Sequence, residues 1–245
     1  MSGPRVVSLV PSWTETLVEA GAHVVGRTRF CVHPAAAVAK ITAVGGTKDL
    51  NLETLAALKP DFIVLDREEN TKQMFEALCK VPAKTFVSNV EDVRQMPSEL
   101  ARLATLFSGD GPNDKSVAAK LSSFADRFGQ VLKTRRALHN DSSRFAYCIW
   151  KNPWMAVGQG TFIASMLEQS GYDLAHLWPA GRGKYPEFTL EELPRDVRML
   201  LSSEPYPFAK KFPTEIPNEK ELVDGESFSW FGIRALRYLE VLKSN

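Results

Sequence analysis

The first half of the chain alternates short apolar runs with helical patterns. A β-branched run at residues 5–10 leads into Pro11-Ser12, and Glu15 follows Ser12 at the spacing of a capping box. The helix predicted from Ser12 ends at Gly21, which suits a left-handed cap, and a brief second strand follows at residues 24–26.

The same alternation continues after residue 50. Asn51 is placed to cap a helix with leucines on one face, and Pro60 ends that helix. The run Phe62–Leu65 is apolar on both faces, as a buried parallel strand should be. A helix at 71–78 and a strand at 84–87 complete a second unit, so the pattern indicates βαβ construction.

A long amphipathic helix is predicted in the middle of the chain. Breaker residues at 108–113 precede a helical pattern from Asp114 to about Leu138, about 25 residues or about 38 Å long. Its apolar positions form one stripe along the helix: Val117, Leu121, Phe124, Phe128, Val131 and Leu138.

The alternation resumes beyond residue 143. We expect strands at 144–150, 199–202 and 222–223, a helix at 161–169, a single helical turn near 189–193 and a terminal helix at 229–242. We therefore predict an α/β fold of two three-layer lobes with short, mostly parallel sheets, joined by one long rigid helix. The predicted domains are 1–110, the bridging helix 111–140 and 141–245.

Charge and cysteine content narrow the function classes. The chain has 245 residues and a formal net charge of +1, without a basic run that would attract nucleic acid or an anionic membrane. Its three cysteines, without a CxxC pair, argue against a disulfide framework and a structural zinc site. No signal peptide or apolar membrane segment is visible, so we expect a cytoplasmic protein, or a periplasmic one if a leader preceded it.

Catalytic motifs are missing. The sequence has no GxSxG, no Walker spacing and no GxGxxG, so we predict a protein that is not an enzyme. The alternative is an enzyme on a borrowed binding fold, with Glu68, Glu69 or Glu204 as acid–base groups.

Cys31 and His33 form the one segment that could bind a soft metal ion directly. In the alternative interpretation, which we favour, Cys31 is a small buried residue and His33 lies in a turn before Pro34.

Aromatic residues follow three predicted strands of the second half. Ligands of α/β sheets bind outside the carboxyl ends of strands, so these aromatics predict a pocket for a flat or apolar ligand. They are Trp150, Trp154, Tyr206 and Trp230.

Charged residues follow the strand at 62–65. Arg67, Glu68 and Glu69 could hydrogen-bond a polar ligand or bridge the lobes. The alternative is a solvated turn in which Asn70 caps the next helix.

These segments together resemble the ABC-transporter substrate-binding proteins for cobalamin, ferric siderophores and haem. This is the helical-backbone metal receptor group, class III of the periplasmic binding proteins. Four stretches carry the resemblance: the opening strand and helix at 6–15, residues 25–34, the segment 51–61 with its Leu-Lys-Pro-Asp sequence, and the long helix.

The resemblance implies non-covalent capture of a ligand between two lobes. It implies that Phe30 to His33, Trp150, Trp154 and Tyr185 line the cleft. Glu53 and Glu191 match the two glutamates, one per lobe, that dock onto transporter arginines; first-turn placement in a helix is the alternative explanation.

One departure from the family is that an acidic run replaces its cleft tryptophan after Asp66. The chain is similar to a subgroup without a signal peptide. We predict a monomer that binds a corrinoid, haem, a ferric siderophore or a metal ion, without a covalent cofactor. Its partners would be this metal chelate and an ABC transporter permease, with no nucleic acid and no membrane insertion.

Overall fold

The computed structural model describes residues 3–46, 49–133, 144–172 and 182–244. The chain divides into two compact units, each assembled from separate segments of sequence. The first unit comprises Met1–Val90, Gln95–Gln130 and Phe231–Leu236, and the second comprises Glu91–Arg94, Val131–Trp230 and Arg237–Asn245.

The first unit is built on a five-stranded sheet in the order β3-β2-β1-β4-β5, and every pairing in it is parallel. The strands are β1 (Arg5–Ser8), β2 (His23–Arg27), β3 (Thr42–Ala43), β4 (Phe62–Asp66) and β5 (Lys84–Ser88). The prediction of a parallel α/β sheet is confirmed here; only the two-residue strand β3 was missed, because it is too short to show a pattern.

Six helices belong wholly or mainly to this unit. They are α1 (Pro11–Ala20), α2 (Ala35–Val38), α3 (Leu52–Ala57), α4 (Lys72–Leu78), α5 (Met96–Ala104) and α6 (Pro112–Val131). Short 3-10 helices lie at Val93–Gln95, of which Val93 and Arg94 belong to the second unit, and at Thr105–Phe107. The core beneath the sheet is aliphatic, with Val7, Leu9, Val44, Leu55, Ile63, Leu65, Met74 and Leu78 buried together.

The capping box predicted at Ser12 and Glu15 is wrong. Val10 is the cap residue and Pro11 occupies the first turn, where its missing N–H costs nothing, so Ser12 is already inside the helix. The predicted end of the helix is confirmed, because Gly21 adopts φ 85° and its N–H bonds to the Val18 carbonyl at 3.0 Å.

The long central helix α6 has 20 residues and is about 30 Å long. Its predicted stripe is buried from Val117 to Val131. The helix begins two residues earlier than predicted and ends at Val131, whereas residues 134–138 of the predicted helix lie outside the described residues. Through Gln130 the helix groups with the first unit, and a separate bridging domain at 111–140 stays a prediction.

The second unit has a five-stranded mixed sheet in the order β10-β9-β6-β7-β8. Its strands are β6 (Arg144–Trp150), β7 (Trp154–Ala156), β8 (Glu187–Phe188), β9 (Val197–Ser202) and β10 (Lys220–Val223). Strands β6, β9 and β10 are parallel, whereas β7 and β8 pair antiparallel. A mostly parallel sheet was predicted; the three residues between β6 and β7 can only join antiparallel strands.

The described part of the second unit contains the helices α7 (Phe162–Gln169), α8 (Gly225–Ser229) and the greater part of α9 (Ile233–Ser244), with a 3-10 turn at Leu190–Glu192. The prediction of one terminal helix from Ser229 is wrong, because Gly232 has φ 78° and separates α8 from α9. None of the helices in the described part of the chain is both long and apolar enough to cross a membrane.

Candidate functional site

Phe30 presents an exposed ring beyond the carboxyl end of β2. The ring is 48% exposed, and the Arg29 guanidinium lies 5.3 Å from its centre. Arg29 also makes two hydrogen bonds of 2.7 Å to the Asp49 carboxylate. Phe30 is therefore accessible, and its role in ligand binding stays a prediction.

Cys31 is buried, which fits the structural interpretation of this residue. Its Sγ accepts a hydrogen bond from Thr14 Oγ1 at 3.1 Å and lies 3.2 Å from Thr28 Oγ1. Burial raises the pKa of the Cys31 thiol, and these hydrogen bonds oppose the rise only in part, so the metal-binding thiolate is disfavoured. No group of three His, Cys, Asp or Glu side chains within the described ranges could hold a metal ion, so Cys31 and His33 gain no third ligand there.

The charged run after β4 is organised by two buried polar residues. Arg67, Glu68 and Glu69 are exposed, whereas Asp66 and Asn70 on either side are buried. Asn70 Oδ1 accepts from the Asp66 N–H at 3.0 Å, and Asn70 Nδ2 donates to the Leu9 carbonyl at 3.3 Å. Asn70 is thus a loop anchor rather than the predicted helix cap, and Thr71 caps α4 instead.

Asp66 connects this loop to the interior of the first unit. Its Oδ1 accepts from the Glu68 N–H at 2.9 Å, and its Oδ2 accepts from Ser88 Oγ at 2.6 Å. Ser88 Oγ in turn accepts from Trp13 Nε1 at 2.8 Å. Burial raises the pKa of Asp66, and the hydrogen bonds from Ser88 and the backbone partly offset that rise.

Trp13 and Ser88 were missed by sequence reasoning. Trp13 lies in α1 among apolar positions and is fully buried, so its position predicts only a core residue. Ser88 is one serine at a strand end, and no spacing connects it with Asp66 before the β4–β5 pairing is known.

Trp150 and Tyr206 form an aromatic corner at the carboxyl ends of β6 and β9 in the second unit. Trp150 is 39% exposed, and its ring meets the half-buried Tyr206 ring edge-on with centres 5.5 Å apart. Lys211 Nζ lies 5.8 Å from the Tyr206 ring centre. The structure therefore brings together two of the aromatic residues predicted from strand exits.

Trp154 was predicted in a loop, and this placement is wrong. It begins strand β7, is 9% exposed and stacks on Phe208 at 5.8 Å with an angle of 9°. It belongs to the apolar core of the second unit with Phe188 and Met199. Trp150, in contrast, ends β6 and is exposed.

Tyr185 lies before β8 and is 36% exposed. Its neighbour Lys184 pairs with Glu91 at 2.8 Å, and the Lys184 carbonyl accepts from the Gly158 N–H at 2.7 Å. Tyr185 is thus an accessible aromatic residue, and the contacts of Lys184 fix the backbone next to it.

Trp230 was predicted on an exposed aromatic loop, but it is 8% exposed. Its Nε1 donates to Glu204 Oε1 at 3.0 Å, and Ser229 Oγ donates to the same oxygen at 2.7 Å. Burial raises the pKa of Glu204, the hydrogen bond from Ser229 opposes it, and the charges of Glu226 and Asp224 raise it further. The Trp230 ring is therefore too buried to stack on a ligand, and its indole N–H instead orients the carboxyl group of Glu204.

Glu53 and Glu191 are both exposed in the first turn of a short helix. Asn51 caps the helix of Glu53 by accepting from the Thr54 N–H at 2.9 Å. A hydrogen bond from its own backbone N–H and one from Thr189 lower the pKa of Glu191, which keeps it ionised at neutral pH. Each of these glutamates is thus accessible in the first turn of its helix.

Comparison with known proteins agrees with the two-unit α/β fold. The periplasmic binding protein family matches residues 6–185, which is more than half of the chain. The vitamin B12-binding protein of Salmonella paratyphi A is 25% identical over 192 residues, covering 78% of this chain and 69% of that protein. The one from Photorhabdus laumondii is 32% identical over 53% of this chain and 48% of its own length.

Solved structures share the fold at low sequence identity. The vitamin B12-binding protein BtuF of Vibrio cholerae has a TM-score of 0.75 at 16% identity, covering 99% of this chain and 96% of its own. The haem-binding protein BhuT, solved with two haems, has a TM-score of 0.77 at 19% identity, covering 99% and 97%.

The matched family and these similar proteins are binding proteins, which confirms the prediction of a binding protein that is not an enzyme. Proteins of this family are normally periplasmic. Because this family model matches more than half of the chain, the chain belongs to the periplasmic binding protein family.

Proposed function

We propose that this protein binds a metal chelate of the corrinoid or haem class and delivers it to an ABC transporter permease. The observation that carries the proposal is a set of accessible aromatic rings: Phe30 and Tyr206 follow the carboxyl ends of β2 and β9, Trp150 ends β6, and Tyr185 precedes β8. Phe30 in the first unit and Trp150, Tyr185 and Tyr206 in the second are all at least partly exposed. Large flat ligands with apolar faces gain stacking and burial energy from such rings.

Polar residues would complete the recognition. Arg67, Glu68 and Glu69 are exposed, and the Asp66 network holds their loop, so they are suited to hydrogen-bond the polar rim of the ligand. Trp154 and Trp230 are buried and would act by fixing the accessible residues. The names of the similar proteins, which bind vitamin B12 or haem, support this ligand class.

Glu53 and Glu191 are the residues we assign to transporter docking. Both are exposed carboxylates on first turns, one in each unit, and Asn51 or Thr189 holds each turn in place. Charge reversal of both to Arg should leave ligand affinity unchanged and abolish ligand delivery to the transporter in proteoliposomes. Unchanged delivery by the double variant would contradict this role.

Ligand binding is tested by thermal unfolding and absorbance titration with hydroxocobalamin, haemin, a ferric siderophore and divalent metal ions. At about 100-fold excess over Kd, the ligand should add about 2.7 kcal/mol to stability and raise Tm by about 5–10 °C. Trp150→Ala should weaken that binding, whereas Phe75→Ala, an exposed aromatic residue of α4, should not. The absence of any response to all four ligand types would refute the proposal.

A further inference from the structure

The two carboxylate oxygens of Glu204 have different surroundings, because both hydrogen-bond donors contact the same oxygen. Ser229 Oγ and Trp230 Nε1 both donate to Oε1, at 2.7 and 3.0 Å. None of the described residues donates to Oε2, and the Glu204 residue is only half-buried. Two fixed donors therefore orient the carboxylate and leave Oε2 as an acceptor.

The backbone around Glu204 is equally constrained. A Cβ added at Gly225 would overlap Ser202 Oγ and lie 2.7 Å from Glu204 Cγ, so only glycine lets α8 approach so closely. Tyr147, in β6, donates its hydroxyl to Ser202 Oγ at 3.1 Å. The Glu204 side chain thus has little freedom to turn away from its position.

Glu204 lies at the same edge of the sheet as the aromatic corner formed by Trp150 and Tyr206. It follows β9 and precedes Tyr206 by two residues, and β9 runs parallel to β6, which ends at Trp150. A flat ligand stacked on the corner would bring its rim to the carboxyl ends of these two strands.

We propose that Glu204 determines ligand specificity at this corner, its Oε2 accepting a hydrogen bond from a carboxamide or hydroxyl group on the ligand rim. This inference rests on the proposed function and adds the chemistry of the preferred ligand. It replaces the acid–base role considered for Glu204 from sequence.

The negative charges around Glu204 also favour a ligand rim that carries amides over one that carries carboxylates. Asp224 and Glu226 lie near enough for their charges to act on Glu204, and like charges repel a ligand carboxylate at this position. Amides donate to Oε2 without that penalty. A chelate with a carboxamide rim should therefore bind better than the same chelate with a carboxylate rim.

The test uses two probes of one shape: cyanocobalamin, and cyanocobalamin with side-chain amides hydrolysed to carboxylates. Affinities are measured by titration calorimetry for the wild type, Glu204→Gln, Glu204→Ala and the control Glu219→Ala, an exposed glutamate of the same unit. Thermal unfolding of each variant checks that it is folded. Glu204→Gln keeps an oxygen for Ser229 and Trp230 but places an amide N–H₂ at the position of Oε2.

We expect wild type to prefer the amide probe, and Glu204→Ala to lose about tenfold or more of its affinity for it. Glu204→Gln should narrow or reverse the preference for the amide probe over the carboxylate probe, because its N–H₂ can donate to a carboxylate. If Glu204 had only a structural role, the substitution would not change which probe binds more tightly. Glu219→Ala should behave as wild type.

Binding of cyanocobalamin that is unchanged within about twofold in both Glu204 variants would overturn the inference and leave the proposed function standing. Binding of haemin without either corrinoid would also overturn the inference alone. Failure of the wild type to bind any chelate would overturn the proposed function, and the inference with it.

Discussion

The carboxylate of Glu15, in α1, accepts two hydrogen bonds from the guanidinium of Arg234, in α9, at 2.8 and 3.0 Å. The Glu15 side chain is 5% exposed and that of Arg234 is 20% exposed. The two residues are 219 positions apart in sequence, and both belong to the first unit. A capping role was predicted for Glu15, but its burial instead requires a fixed cationic partner.

We predict that Glu15→Ala destabilises the protein by about 3 kcal/mol, because it leaves the Arg234 charge partly buried and unpaired. The measurement is the free energy of unfolding in urea. The control is Glu76→Ala, which removes the exposed pair of Lys72 and Glu76 and should cost less than about 0.5 kcal/mol. Equal effects of the two substitutions would show that burial does not strengthen the Glu15–Arg234 pair.

Ser88→Ala should cost about 1–3 kcal/mol, since it removes the partner of both Trp13 Nε1 and Asp66 Oδ2. Ser98→Ala is the matched control, because Ser98 is exposed and donates only to the Gln95 carbonyl. Urea unfolding of both variants gives the difference. A Ser88→Ala variant as stable as the Ser98→Ala variant would contradict the role assigned to this network.

Asp66 gives the stability a pH dependence of defined sign. Burial raises its pKa in the folded state, so the unfolded state loses the proton first as pH increases. The folded state therefore loses stability as pH rises from the ordinary carboxyl pKa through the raised pKa of Asp66. The negative charge of Glu68 raises the pKa of Asp66 further.

Asp66→Asn removes this titration, so the stability of wild type relative to the variant should decline as the pH rises above 3.8, the ordinary pKa of an Asp carboxyl group. Urea unfolding at several pH values measures the slope. A constant difference between the two proteins above this pH would contradict the raised pKa.

Substitution of Trp150 should affect ligand binding, whereas substitution of Trp154 should affect the stability of the fold. Trp150→Ala should lower ligand affinity and change stability by less than about 1 kcal/mol, because the side chain is exposed. Trp154→Ala should cost about 3–5 kcal/mol, because it leaves a cavity against Phe208. Titration calorimetry and urea unfolding distinguish the two, and a large stability loss in Trp150→Ala would contradict its place in the site.

Much of the fold follows from the sequence because periodicity and breakers are local properties. The β6 strand at Arg144–Trp150, the turn at Gly21 and the cap at Asn51 agree with prediction for this reason. Trp154 was misplaced because a three-residue strand has no period to detect, and its direction depends on pairing with β6.

The candidate site was harder to predict, because its polar connections join distant residues. Thr14 and Thr28 bond Cys31, and Ser88 joins Trp13 to Asp66, through contacts that exist only once the sheet has formed. The strand exit indicated the accessible Trp150 and the family resemblance implied Phe30, whereas the partners of Asp66 and Glu204 required the tertiary structure.

The return of residues 231–236 to the first unit has a consequence for biosynthesis. This segment supplies Arg234 to Glu15, Phe231 to Trp13 at 5.0 Å, and the Ile233 N–H to Thr16 Oγ1 at 3.1 Å. A ribosome translates every strand of the second sheet before it reaches these residues. Nascent chains stalled at residue 230 should therefore carry a first unit that proteases cleave readily, and six further residues should protect it once they have emerged from the exit tunnel.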